Sequence, residues 1–372
     1  MAERLTSKRE IVMTDIVRHR LFNQQLSCKK FSSPEEIVER LGAIQAQDYP
    51  GGLWGIGLRL GNATIADVET AVANRKIIRT WPMRGTLHFV PAKDAKWMLE
   101  LLTPRVIKKS SGRYKELGLT EDIFERSKGL LVKALQGNKQ LTRSEMYQAL
   151  EKGGVRSDGQ RAYHILGHLA QKGLICFGTR REKQHTFALL DEWATGSKEL
   201  SRNKALAEIA RRYFTGHGPA TLKDFMWWAG LTAADARAGA ESAKGITSEE
   251  INGQAYFLPR KIASGWDFPN AHLLPPYDEY FIAYKDRSAA IGKNIMGKIN
   301  PALTSSPIII NGQATGIWQR FVKRDEVVVT TRLFRKLDKT EKEALAEAAN
   351  RYGKFLGKPA ILSLTQQNLY TK

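Results

Sequence analysis

The chain is 372 residues long, carries 58 lysines and arginines against 38 aspartates and glutamates, and has a formal net charge of +20. Its 42% hydrophobic content supports sizeable cores and excludes a disordered tail, while the cationic excess points to a polyanionic partner. Only Cys28 and Cys176 occur, far apart and without metal-ligand spacing, which argues against a disulfide scaffold and against zinc or iron–sulfur sites.

In chain order, residues 9–27 read as a helix with Ile11, Ile16, Val17 and Leu21 on one side. A second helix is expected over 33–48, with Ser33 as its cap and Pro34 in the permitted first turn. Tyr49-Pro50-Gly51-Gly52 then stops it, because the residue before a proline avoids the α region. Gln45 and Gln47 would therefore sit at a helix exit. Residues two apart in a helix do not share a face, so the pair converges only if the backbone opens near Ala46. Residues 53–60 fit a helix or a buried strand, 64–74 a short helix, and 77–90 a hairpin turning at Met83-Arg84-Gly85. A helix over 92–102 turns Trp97 and Leu101 toward a core. Helices followed by a hairpin give the winged-helix order, and residues 1–118 are expected to form a first such unit.

A second unit, 119–199, has helices over 120–135, 142–150 and 158–172, the middle one opened by the capping pair Thr142 and Glu145. Strands over 173–178 and 184–189 then flank a basic turn with Arg180, Arg181 and Lys183. A third unit, 200–266, has helices over 201–215, 221–228 and 232–242 and a hairpin around Asn252-Gly253. From Asp267 prolines cluster, followed by strands over 280–284, 306–311, 315–322 and 326–331, a helix over 340–356 and a last strand over 361–364. The expected fold class is α+β: three tandem winged-helix units with a C-terminal β-rich, barrel-like domain over 267–372.

Gln45-Ala46-Gln47, the run from Thr80 through Trp81-Pro82-Met83-Arg84 to His88, and His272-Leu273-Leu274-Pro275-Pro276-Tyr277-Asp278-Glu279-Tyr280 together resemble the AlkZ-type winged-helix DNA glycosylases. The likeness spans nearly the whole chain with its segments in the family's order. It implies that Gln45-Ala46-Gln47 lies in an active site that hydrolyses N7-alkylated purine nucleotides, bulky or cross-linked guanine adducts among them. It implies a monofunctional enzyme without a lysine nucleophile.

The chemistry suits these residues. Alkylation at N7 makes guanine a better leaving group, and the transition state resembles an oxocarbenium ion. A glutamine carbonyl oxygen accepts a hydrogen bond from water and faces developing positive charge, though it is no useful base. Asp48 is a candidate base beside such a water, or alternatively a partner for backbone donors of the Tyr49-Pro50-Gly51 turn. Tyr49, Trp54 and Trp81 are candidates to line a lesion pocket, with core packing as the alternative for the tryptophans. Arg59, Arg79, Arg84, His88, Arg180, Arg181 and Lys183 are candidate DNA contacts; for His88 a buried, hydrogen-bonded role competes. Asp278-Glu279 reads as structural, and the histidines show no metal spacing.

The expectation is a DNA-repair glycosylase without cofactor or metal, acting as a monomer on double-stranded DNA carrying alkylated guanine. No apolar run reaches membrane length and the charged first ten residues lack a signal core, so a cytoplasmic, nucleoid-associated protein with no membrane partner is expected. The rival reading is a non-enzymatic winged-helix regulator, although no zipper or dimerisation helix stands out in the sequence.

Overall fold

The computed structural model describes residues 13–28, 31–260, 270–292 and 306–366. Its elements, in chain order, begin with α1 (Met13–Asn23), α2 (Pro34–Leu41), β1 (Ile44–Gln45), α3 (Tyr49–Gly57), α4 (Ile65–Ala73), β2 (Ile77–Met83) and β3 (Thr86–Pro91). After a 3-10 turn come α5 (Ala95–Leu102), α6 (Pro104–Lys109), α7 (Ser111–Glu116), α8 (Glu121–Leu135), β4 (Leu141–Thr142), α9 (Arg143–Lys152), α10 (Arg161–Gln171), β5 (Ile175–Arg181) and β6 (Gln184–Leu189). Then follow α11 (Leu190–Trp193), α12 (Arg202–His217), α13 (Leu222–Ala229), α14 (Ala233–Ser242), β7 (Ile246–Ile251) and β8 (Gln254–Pro259). The last quarter holds β9 (Ala271–Leu273), α15 (Glu279–Ile282), β10 (Ser306–Ile310), β11 (Gln313–Val322), β12 (Val327–Leu333), α16 (Lys339–Leu356) and β13 (Ala360–Gln366).

One order recurs three times: a helix, a short strand, two helices, then a hairpin whose second arm pairs with the short strand. It runs from α2 to β3 with β1 on β3, and from α8 to β6 with β4 on β6. It recurs from α12 to β8, where Ala220 bridges Phe257 of β8. The first two hairpins join through the pair Arg79↔Phe177 into one six-stranded sheet, ordered β1-β3-β2-β5-β6-β4. The C-terminal sheet is ordered β13-β12-β11-β10-β9, and among the described residues β13 and β9 do not pair; β12 and β13 run parallel with α16 as their crossover.

Three cores hold these parts together, each drawing on more than one segment. Ile37, Ile44 and Trp54 share a core with Ile308, Trp318 and Phe355 of the C-terminal sheet and α16. Ile78, Val90 and Trp97 pack with Tyr213 and Trp228 of α12 and α13. Trp81 and Leu87 close over Phe177 and Leu166.

Two stretches differ from expectation. The helix over 33–48 ends at Leu41, because Gly42 takes φ 80, a left-handed conformation that favours glycine. The chain then runs into β1, and Tyr49-Pro50 starts α3 instead of stopping a helix, since proline is tolerated in a first turn. The strand expected over 280–284 is α15: the Asp278 carboxylate accepts the Tyr280 backbone N–H and caps a single helical turn. Ile11 and the start of the proline cluster lie outside the described residues. No helix among the described residues is long and apolar enough to cross a membrane.

Candidate active site

Gln45 lies on β1 opposite His88 of β3. The backbone is extended at Ile44–Gln45 and bends at Gln47, in place of the continuing helix. Ile44 and Ala46 are buried, Gln45 is half-buried and Gln47 is exposed. The ladder is interrupted between the glutamines. Ala46 donates its N–H to Leu87 O at 2.8 Å, but its own carbonyl is taken by Arg79 Nε and Nη2 at 3.0 and 2.8 Å. The Leu87 N–H therefore donates to the Gln47 Oε1 side-chain oxygen at 3.2 Å. Gln45 Oε1 is buried and has no hydrogen-bond partner among the described residues, a costly state for a buried acceptor.

Behind this strand lies Glu279, fully buried on α15. Its Oε1 accepts the Gln45 backbone N–H at 2.9 Å and its Oε2 accepts the Trp228 indole N–H at 2.9 Å. His217 Nε2 stands 3.7 Å from Oε2. Burial pushes the Glu279 carboxyl up, but His217, His88 and Arg84 together pull it below the ordinary carboxylate value. Burial and then the Arg84 guanidinium push the His88 imidazole down to about 3, leaving a neutral ring at physiological pH. Its tautomer follows from the partners. Thr86 O, 3.0 Å from Nδ1, can only accept, and Arg84 Nη2, 3.3 Å from Nε2, can only donate, so the proton sits on Nδ1. Arg84, at the hairpin turn with φ 54, also donates from Nη1 to the Trp228 carbonyl.

Glu279 is the residue that sequence reasoning set aside as structural and that the fold brings to the glutamines. Its position depends on Asp278, whose two carboxylate oxygens accept from Arg59 Nη2 and Nη1 at 2.8 and 2.9 Å. Arg59 also donates to Gly55 O and Gln24 Oε1. A buried, bidentate pair of this kind fixes geometry strongly. The sequence signals for it are Pro275-Pro276 followed by two carboxylates and the family-like run from His272 to Tyr280.

Several expected site residues have other positions. Arg59 is fully buried against Asp278, so it is not a phosphate contact. Arg79 is buried on the Ala46 carbonyl with its guanidinium over Phe177 at 4.8 Å, and burial lowers it to about 10; it too is withdrawn from any phosphate. His88 is fully buried as described. Trp54 donates its indole N–H to Leu273 O at 2.7 Å and packs on Tyr352 and Phe355. Trp81 packs on Phe177 at 5.1 Å. Both tryptophans are buried core residues.

Tyr49 is mostly buried, edge-on to His185 at 4.8 Å, with the Arg79 and Arg180 guanidinium groups 5.3 and 5.2 Å from its ring centre. Burial and then Glu69 raise its phenol to about 12, so it stays protonated. Asp48 does not cap α3; its Oδ2 pairs with Arg320 Nη2 at 3.1 Å, linking the glutamine strand to β11. At the second hairpin Arg181 pairs with Glu145 at 2.8 Å and Arg180 with Glu69 at 3.4 Å, while Lys183 is exposed in the turn. Among the described residues no three His, Cys, Asp or Glu side chains gather where a metal ion would bind.

The sequence description of one family, the AlkZ-like DNA glycosylases, matches residues 38–355. The chain is similar to an interstrand DNA cross-link repair glycosylase from Streptomyces sahachiroi, with 24% identity over 332 residues that cover 84% of this chain and 88% of the relative. A solved structure of Streptomyces sahachiroi DNA glycosylase AlkZ superposes with a TM-score of 0.77 at 20% identity, covering 95% of this chain and 100% of the other. At that identity the superposition speaks to the fold.

Proposed function

The chain belongs to the AlkZ-like DNA glycosylase family, and from that premise we propose that it hydrolyses the N-glycosidic bond of N7-alkylated purines in duplex DNA, cross-linked guanines included. Each of the three recurring helix-and-hairpin units is a winged helix in this reading, and the exposed Lys183 turn is a phosphate contact. The observation that carries the proposal is the buried Gln45 Oε1, which has no hydrogen-bond partner among the described residues and belongs to a glutamine that lies on β1 two positions before Gln47.

Gln45 Oε1 accepts the hydrogen bond of an attacking water or faces the positive charge that builds on the sugar. Gln47 Oε1 keeps a second lone pair beyond its bond to Leu87, available to the same water. The leaving base already carries positive charge, so no strong general acid is needed. Asp48, held by Arg320, adds negative charge at the end of the strand. Glu279 acts through the backbone: it orients the Gln45 peptide and is too buried to touch substrate.

The test is release of free N7-methylguanine from methylated duplex DNA by the purified protein. Gln45→Ala and Gln47→Ala should each slow release by about one to three orders of magnitude with little change in DNA affinity, the range for a positioning or electrostatic group. Wild-type rates in both variants would remove the glutamines from the mechanism.

A further inference from the structure

A second surface lies on the other side of Arg84. A groove of about 580 Å³ runs between the turn of the first hairpin, α6, α13 and the chain after α15. Its cations are Arg84, Arg105, Lys109, Lys223 and Lys285, and none of its lining residues is acidic. Trp227 lines the same groove and is 46% exposed, while Trp54, Trp81, Trp97, Trp193, Trp228 and Trp318 are all buried. Leaving so much indole in water is unfavourable unless something covers it.

Trp227 is not loose. Its indole N–H donates to Ile282 O at 3.1 Å, which fixes the ring's tilt. Lys223, one helical turn earlier on α13, shares its face. Arg105 donates to the carbonyl of Gly230, the C-cap of the same helix, at 2.8 Å. The site is thus a pinned aromatic platform among cations, open to solvent and with no acidic side chain in its described lining.

We propose that this groove binds an unpaired stretch of nucleic-acid strand, its phosphates on the cations and one base stacked on Trp227. Stacking on an exposed aromatic beside a cationic track is how sequence-independent single-strand binding works, because every base offers a π face. A fully paired duplex keeps its bases stacked on one another and offers none to the indole. The groove shares Arg84 with the glutamine site, where the same guanidinium meets His88. A strand opened at a lesion would thus reach both places. The inference takes its ligand class from the nucleic-acid reading above, but it does not depend on base release.

The test uses the full chain and a fluorescein-labelled oligothymidylate of about ten nucleotides, followed by anisotropy across a salt series. Binding should weaken with salt and quench tryptophan emission. Trp227→Ala should lose on the order of ten-fold in affinity and most of the quenching. Trp227→Phe, which keeps a stacking ring, should bind near wild type. Lys109→Ala with Lys223→Ala should lower the salt slope by about 1.4, at roughly 0.7 per phosphate contact on a single strand. Unchanged affinity and quenching in Trp227→Ala, or equal loss in both Trp227 variants, would overturn the proposal. Release of N7-methylguanine from methylated duplex, measured on the same preparations, reports separately on the glycosylase reading.

Discussion

Glu279 is fully buried and accepts two N–H donors, one on each oxygen. That makes it intolerant of an isosteric change. In Glu279→Gln the amide keeps one carbonyl oxygen for one donor and turns an NH2 toward the other. A buried donor left unsatisfied costs about 1–3 kcal/mol. Whichever donor loses its partner, the backbone of Gln45 or the ring of Trp228 must shift. The expectation is a lower unfolding midpoint together with slower base release at saturating DNA. A variant as active and as stable as the wild type would show that the carboxylate does not hold the glutamine strand.

Among the elements, α3 shows how close packing places the site. A side chain at Gly52 would meet the Ala46 Cα at 3.1 Å and the Phe89 ring at 3.0 Å, so this helix lies directly on the peptide between the glutamines. At Gly57 a Cβ would collide with the ring of Phe355 on α16, which is itself buried. Gly57→Ala tests this: the helical preference of alanine favours the change by about 1 kcal/mol, and overpacking opposes it by about 1–3 kcal/mol. The expected net result is a loss of stability, read from the urea midpoint; a rise would mean that Phe355 moves aside freely.

Elements of this kind were legible where their cause is local. The hairpins at Arg84-Gly85 and Asn252-Gly253 and the Thr142–Glu145 capping box follow from neighbouring residues and are present. The two-residue strand β1 was not legible, because its state is decided by β3, more than forty positions later. Neither was the role of Arg59, whose carboxylate partner is 219 residues away. Trp54 and Trp81 could be read as core or pocket, and only the packing decides for core. Glu279 reads as structural in the sequence and is structural here, but nothing beside it in sequence shows which donors its oxygens accept.

At the scale of the molecule, shared cores couple the segments. Each core takes in side chains from a neighbouring segment: Trp54 packs on Phe355, Ile78 belongs with Trp228, and Leu87 closes over the second unit's Phe177. Acid unfolding should therefore be one cooperative transition, with tryptophan emission and far-ultraviolet circular dichroism changing together. Its pH range follows from the buried ionisable groups. His88 titrates near 6.5 when unfolded and near 3 when folded, so between those values the unfolded chain binds the extra proton and stability falls as pH falls. The lowered Glu279 carboxyl acts in the same direction, losing its contribution as pH drops through its folded value. His88 alone accounts for a few kcal/mol by the linkage arithmetic. A urea midpoint constant from pH 7 to pH 4 would contradict this, and His88→Gln should flatten the slope.

The bond from the Gln45 backbone to Glu279 spans 234 positions of sequence. A ribosome delivers the glutamines long before it delivers the carboxylate that orients them. A nascent or truncated chain that stops short of the proline-rich segment would carry the Gln45-Ala46-Gln47 motif without the carboxylate that fixes it. On the glycosylase reading proposed above, a half-made chain would not yet hold its glutamines in their final geometry.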